Sequence, residues 1–450
     1  MLYSIIMAAG KGTRMKSGTG KTMHKIMDKP IIEYICDTME QLDCQRQVIV
    51  VGYDRENLMA HLGDRAEYAV QDLQHGTAHA VMQAQMLSGL EGKTLIINGD
   101  CPLVSAETYR QLIEAAQTHE LVVLTTLLDD PGSYGRIIRD ENGEVTAIVE
   151  KKDASREQLA VREVNAGIYC VDNRLLWQYL PEITDDNAQH EFYITDLVAI
   201  FRAHGHKVGG VAGDSEELQG INSRAELAKA ARWLQSKINR HWMNEGVTIV
   251  DPETTWIGSD VTIGADTIIY PSVRLEGKTV IGENNTLEEG CYFNNAVIGR
   301  DNAIICCRIT DSRVDDGNKI GPNAHLRNGC HIHSNCRIGN YVEMKNTDFG
   351  SGSKCADRTY IGDSTVGEKC NFGCGVVTVN YDGKNKFHTT IGNHCFIGSN
   401  VNIIAPVTIE DNSVLAAGST ITNDVAEGDM AIGRVRQENK PGYGSRYLNK

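Results

Sequence analysis

Three observations on this 450-residue sequence predict an α/β domain followed by a left-handed parallel β-helix. Short apolar runs alternate with helix-like segments up to about residue 246. Beyond that point aliphatic-glycine pairs recur, many of them six or near eighteen residues apart. Glycine is abundant, at 44 residues against 9 prolines, which suits a chain with many tight corners.

The first part is justified element by element. Ser4–Met7 reads as a short apolar strand and Ile31–Leu42 as a helix. Gln47–Val51 and Thr94–Asn98 are strands, the latter ending in Gly99-Asp100, and Val122–Thr126 and Ala147–Val149 follow. This alternation predicts a mainly parallel sheet. Such sheets bind ligands at the carboxyl ends of their strands, so the loops after Met7 and Asn98 are the expected site. Ser223 and Glu226 form a capping-box pattern at the head of a helix, Ser223–Asn244. Leu227, Ala231, Leu234, Ile238 and Trp242 recur there at spacings of three and four, and Gly246 supplies a stop. The expected organisation is residues 1–222 for the first domain, 223–246 for a linker helix, 247–437 for the β-helix and 438–450 for a tail.

The second part rests on Ile257-Gly, Ile263-Gly, Ile281-Gly, Ile298-Gly, Ile320-Gly, Ile338-Gly, Ile361-Gly, Val366-Gly, Ile391-Gly and Ile397-Gly. Four residues after the aliphatic one a small side chain is common, as at Val261, Thr267, Ala324, Val342 and Val401. In a hexapeptide repeat the aliphatic residue fills the prism, the small one fits beside it, and Gly or Asn turns the corner. Irregular spacings, such as that between Ile298 and Ile320, are read as inserted loops. Nine of the 13 cysteines lie between Cys291 and Cys395. Five of them, Cys291, Cys330, Cys336, Cys370 and Cys395, occupy the small slot, where a thiol packs as a small hydrophobe.

Composition excludes several functions. With 44 Lys+Arg against 59 Asp+Glu the net charge is −15, which argues against a general nucleic-acid binder. The odd cysteine number argues against a disulfide framework, and the lack of a Cys-x-x-Cys pair against structural zinc. The start has no basic export signal, and no apolar run is long enough to span a membrane. A reduced, cytoplasmic protein is expected.

The chemistry is carried first by Ala8-Ala9-Gly10-Lys11-Gly12-Thr13-Arg14-Met15, with Lys21 seven residues on. Glycines there let backbone N–H groups approach phosphates, and Arg14 adds charge. Gly18-Thr-Gly-Lys21-Thr22 imitates the end of a Walker A loop, but the motif's first glycine would fall on Met15, so that reading is rejected. The loop, together with Gln71, Gly76-Thr77, Asn98-Gly99-Asp100 and the hexapeptide repeat, resembles a bacterial family. Its members are bifunctional N-acetylglucosamine-1-phosphate uridylyltransferases and glucosamine-1-phosphate N-acetyltransferases. The resemblance runs from Met1 to about Gln437.

The resemblance implies a Rossmann-like nucleotidyltransferase domain ahead of a β-helix acetyltransferase domain. It implies that Ala8, Ala9 and Gly10 border the nucleotide. Arg14 and Lys21 would bind the UTP phosphates, and Gln71 with the Gly76-Thr77 backbone would read uracil. Asp100 and Asn222 would hold Mg2+, and Gly135, Glu150 and Asn165 would hold N-acetylglucosamine. Oxygen ligands suit Mg2+ on chemical grounds. In the second domain it implies that Arg327, Lys345 and Lys386 bind the phosphate of glucosamine 1-phosphate. Tyr360, Asn371, Asn380 and Tyr381 would orient the sugar and its amine. Ser399, Ala417 and Arg434 would contact acetyl-CoA. It also implies a homotrimer with acyl-CoA sites between chains.

One departure matters. Where the family carries a His as general base, this sequence reads Lys354-Cys355-Ala356-Asp357-Arg358-Thr359-Tyr360. Asp357 stands at the His position and Arg358 at an apolar one. Aspartate is a poorer base near neutral pH unless burial raises its pKa, and a paired Arg358 would lower it. His325 is a conceivable substitute, but its place in the repeat suggests a solvated corner. Acetyl transfer is therefore expected to be impaired. The alternatives are a monofunctional sugar-1-phosphate nucleotidyltransferase whose β-helix serves trimer assembly, an enzyme for another sugar or nucleotide, and a non-catalytic subunit. The last conflicts with the presence of Lys21, Asp100 and Asn222.

Overall fold

A computed structural model of the protein describes residues 1–448; the last two residues of the expected tail lie outside the described residues. The chain divides into two compact units, Met1–Leu234 and Gln235–Lys450. No helix among the described residues is long and apolar enough to cross a membrane.

The first unit is built on a nine-stranded sheet. Its strands are β1 Leu2–Ala8, β2 Arg46–Val51, β3 Glu67–Val70, β4 Lys93–Asn98, β5 Leu121–Leu127, β6 Arg136–Arg139, β7 Val145–Val149, β8 Glu163–Asp172 and β9 Val208–Ala212. The order is β9-β5-β8-β4-β1-β2-β3, with β6 and β7 as a hairpin attached to β8. Around β1 all pairs are parallel, as expected. β8 runs antiparallel to both β4 and β5, so the sheet is mixed. Continuous apolar runs arise because both faces are covered. Tyr3 and Ile5 of β1 enter one core cluster, and Ile6 and Ala8 enter the other. Register sets Met7 beside Asn98 and Ala8 beside Val51, which gathers the carboxyl ends of β1, β2 and β4 at one edge.

A helix, Arg224–Asn244, follows, with Ser223 Oγ accepting from the Glu226 N–H and Gly246 at φ +90° beyond it. The second unit is a stack of short parallel strands around one apolar core. Strands pair about one coil apart, as in Trp256 with Arg274 and Arg313 with His331. Asn284, Asn335, Asn400 and Asn412 take the left-handed corners, where Asn is tolerated better than most residues. Buried polar slots close on themselves: the Asn302 N–H donates to Asn285 Oδ1 at 2.9 Å, and the Asn318 N–H to Asn302 Oδ1 at 2.8 Å.

The reading of Ile298 to Ile320 as an insertion is corrected. Ile298 pairs with Val314 and Ile304 with Ile320, so these coils are sixteen residues long and shorter than the usual eighteen. The true insertion lies later. Ser364 pairs with Thr389, a coil lengthened to twenty-five residues by the loop that carries Asn380–Lys386.

All five slot cysteines are at most 2% exposed, whereas Cys306 and Cys374 are exposed. Burial pushes the Cys291 thiol up to about 12 and Cys336 up to about 11. Thiolate is the reactive form. Thiol labelling of the native protein should therefore modify Cys306 and Cys374 first and leave the five slot residues unmodified until denaturant is added.

Candidate active sites

In the first unit a cavity of about 340 Å3 opens where β1 and β4 end. Ala8, Ala9, Gly10, Lys21, Gln71, Gly76, Thr77 and Asp100, all named from the sequence, line it. Gly12, at φ +60°, makes this possible: a Cβ there would lie 2.7 Å from Lys21 Cβ, so glycine lets the lysine stem pass. Lys21 Nζ then donates to Asp100 Oδ2 at 2.7 Å and to Asn222 Oδ1 at 3.1 Å. Asn222 reaches this point because the Ile221 N–H bonds the Asp100 carbonyl at 2.8 Å. Two side-chain oxygens thus face one positive charge. The donor set and its convergence fit a hard, oxygen-liganded divalent cation.

Gln71 is buried, and its Nε2 lies 3.0 Å from His79 Nδ1 and 3.4 Å from the Gly76 carbonyl. Gly76 has φ +112°, and a Cβ there would sit 2.7 Å from the Phe192 backbone nitrogen. Behind the cavity, the Asn165 N–H donates to the Gly135 carbonyl at 2.9 Å. A Cβ on Gly135 would lie 3.2 Å from Glu150 Oε1. Asn165 Oδ1 accepts from the Gly167 N–H at 2.8 Å, and a side chain on Gly167 would overlap the Asn98 amide. The group is therefore tied to the end of β4. Burial, with Asp153 and Asp196 nearby, pushes the Glu150 carboxyl up.

Gly135, Glu150, Asn165 and Asn222 lie outside this lining, and so does Arg14. It is exposed on the turn Thr13–Met15 and does not line the cavity. Gly12 and Lys16, both left-handed, bound this turn. Gln74 and Glu191 line the cavity and were missed. Gln74 Nε2 donates to the Ala9 carbonyl at 2.7 Å; its place between Gln71 and Gly76 was the available signal.

In the second unit two groups of named residues assemble. Register sets Arg327 beside Lys345 and Lys345 beside Gly362. Lys386 joins them, and its ammonium, with Arg327, holds the Lys345 amine below the usual lysine range. Asp363 accepts from Asn346 Nδ2 at 2.8 Å and from Asn380, which fixes Asn380 beside the cations. A Cβ on Gly362 would overlap the Tyr360 hydroxyl, so the ring lies across this glycine. Tyr381 is exposed, and its hydroxyl donates to the Gly383 carbonyl at 2.7 Å. Asn371 pairs in register with Lys354 and Phe396.

The second group runs along successive coils. The Gly375 N–H reaches the Asp357 carbonyl at 3.3 Å, and a Cβ on Gly373 would lie 2.7 Å from Ser399 Oγ. The Gly418 N–H donates to the Ser399 carbonyl at 2.8 Å, and Arg434 Nη1 to the Ala417 carbonyl at 2.8 Å. Asp357 heads this column. Its side chain is exposed and, among the described residues, makes no hydrogen bond or ion pair, with Arg358 or otherwise. His325 is corrected: it sits on a strand and is half-buried, not on a solvated corner. Register places Glu343 between it and Tyr360, and burial, then Arg327, lowers its pKa.

Comparison with known proteins agrees with this division. The family model for nucleotidyl transferases matches residues 3–243, and the bacterial transferase hexapeptide model matches 311–346 and 388–423. The chain is 44% identical over 449 residues to the bifunctional protein GlmU of an Exiguobacterium species, covering 99% of each chain. It is 46% identical to that of Geobacillus thermodenitrificans, over 100% of this chain and 98% of the relative. It is 45% identical to that of Caldanaerobacter subterraneus, over 100% and 99%.

Proposed function

The chain belongs to the family of bifunctional GlmU proteins, and from that premise we propose how its two units act. It makes UDP-N-acetylglucosamine. The first unit transfers a uridylyl group from UTP to N-acetylglucosamine 1-phosphate. The second transfers an acetyl group from acetyl-CoA to glucosamine 1-phosphate. The observation that carries the first step is the ammonium of Lys21 held between Asp100 and Asn222 at the mouth of the cavity.

A sugar-phosphate oxygen attacks the α-phosphorus of UTP, and the bond to the bridging oxygen breaks to release pyrophosphate. This reaction needs clamping and charge neutralisation more than covalent help. Gln71 and the Gly76-Thr77 backbone read the uracil, while the Ala8–Gly10 backbone and Lys21 hold the phosphates. Gly135, Glu150 and Asn165 position the sugar. Arg14, exposed beside the loop, reaches the phosphates from outside the cavity. Asp100 and Asn222 would hold Mg2+, which supplies charge neutralisation on the phosphate oxygens. Substitution of Gly76 by alanine should lower kcat/KM for UTP by roughly 10–100-fold, because the new Cβ displaces the Phe192 backbone that shapes this wall. Steady-state kinetics with varied UTP checks this.

For acetyl transfer, Arg327, Lys345 and Lys386 hold the sugar phosphate, and Tyr360, Asn371, Asn380 and Tyr381 orient the amine. Ser399, Ala417 and Arg434 contact acetyl-CoA. The amine attacks the thioester carbonyl, CoA leaves as thiolate, and the amine proton needs an acceptor. An exposed, unpaired Asp357 at that position supports a second reading, in which acetyl transfer is slow and the β-helix serves mainly for trimer assembly. Assaying pyrophosphate release and CoA release separately on one preparation decides between them. Light scattering that shows a stable monomer would count against the assembly role.

A further inference from the structure

We propose that Asp315, His331 and His333 form a binding site for one divalent transition-metal ion of the zinc, nickel or cobalt class on the outside of the β-helix. His331, on the short strand His331–Ile332, and His333 just beyond it flank the buried Ile332, and their rings lie together on the outside with centroids 4.0 Å apart. Register sets His331 between Arg313 and Asp348 on the neighbouring coils, and Ile332 beside Val314, which brings Asp315 alongside His333.

The atoms converge. Asp315 Oδ2 lies 2.9 Å from His331 Nε2 and 3.7 Å from His333 Nδ1. One ligand atom from each residue falls within 4.8 Å of the others. A tetrahedral ion with ligands at about 2.0–2.1 Å keeps its ligand atoms roughly 3.3 Å apart, which this spacing brackets. The second carboxylate completes the arrangement. Asp348 Oδ1 lies 2.9 Å from His333 Nε2, on the far side of the ring from the Nδ1 that faces Asp315 Oδ2 at 3.7 Å. Asp348 thus acts as the carboxylate that orients a ligating imidazole. Arg313 Nε occupies Asp315 Oδ1 at 2.8 Å, so Oδ2 is the oxygen left for the ion. The three side chains are 21–34% exposed, so the ion can enter and keep a water ligand.

Two imidazoles and one carboxylate select this class of metal over Mg2+ or Ca2+, which require mostly oxygen ligands. The site joins three successive coils through Asp315, the two histidines and Asp348.

The test is a cobalt titration of the EDTA-treated full chain, followed by calorimetry and by visible absorption. One Co2+ should bind without a thiolate charge-transfer band and without competition from millimolar Mg2+. The double substitution His331→Gln/His333→Gln should remove one equivalent, and Asp348→Asn should weaken that equivalent by roughly 10–100-fold. Uridylyl transfer, measured on each variant, reports that the chain is folded. Unchanged Co2+ stoichiometry and affinity in the double variant would overturn the site. So would wild-type binding that Mg2+ displaces, or binding that gives a thiolate band.

Discussion

Lys21→Ala should lower kcat for uridylyl transfer by roughly 10²–10³-fold, the usual cost of removing one preorganised charge donor from a transition state. The expected loss follows from how firmly this ammonium is placed. Its stem passes where Gly12 leaves room, and its head is fixed by Asp100 and Asn222. Its side chain is only 16% exposed. Lys21→Arg should recover little, because a planar guanidinium cannot take a position shaped for a compact ammonium. The conservative variant also answers the objection that alanine merely leaves Asp100 without a partner. Arginine keeps the positive charge near Asp100, so activity restored by Arg would mean that the lysine's role is structural. CoA release by the second unit is the internal control and should be unchanged. A loss below about threefold in pyrophosphate release would mean that Lys21 is an ordinary surface lysine.

What the sequence revealed and what it hid have physical causes. The β-helix was legible because every coil repeats one steric demand, an aliphatic residue inside and a small residue beside it. Coil length was not. A spacing of twenty-two between Ile298 and Ile320 looks like an insertion, yet it is one strand step plus a sixteen-residue coil. In the first unit the apolar run of β8 is compatible with either direction, so its antiparallel pairing lies in the topology rather than in the pattern. The cavity residues of the glycine loop stood out because close backbone approach and charge leave local marks, and Gln71, Gly76-Thr77 and Asp100 were reached through the family resemblance. Glu191 did not stand out, since it reaches the cavity only through long-range packing. Arg14 carried the same mark and sits, exposed, on the turn Thr13–Met15. The Asp315–His331–His333–Asp348 cluster needed the coil register before its members could be seen as neighbours.

Asp357→His should raise CoA release with glucosamine 1-phosphate by roughly 10²–10⁴-fold, the range that a positioned general base supplies. A free carboxylate is about 2.5 pKa units less basic than imidazole, and burial or a buried partner would be needed to close that gap. Asp357 is exposed, and its side chain makes no hydrogen bond or ion pair among the described residues. The machinery around it is otherwise assembled: three cations converge at Lys345, Asn380 is fixed by Asp363, and Ser399, Ala417 and Arg434 line the same column. A gain therefore requires only the missing base. The restored enzyme should also acquire a rate limb near pH 6.5, where imidazole loses its proton, and its rate should rise with pH through that limb. Pyrophosphate release should not change. If the wild-type chain already releases CoA as fast as the histidine variant, and neither shows that limb, position 357 does not limit the reaction and the proton leaves the amine by another route. His325 is the group to test next, because lowered basicity and half-burial keep it neutral and able to accept a proton at neutral pH. His325→Gln should then lower the CoA release of the wild-type chain.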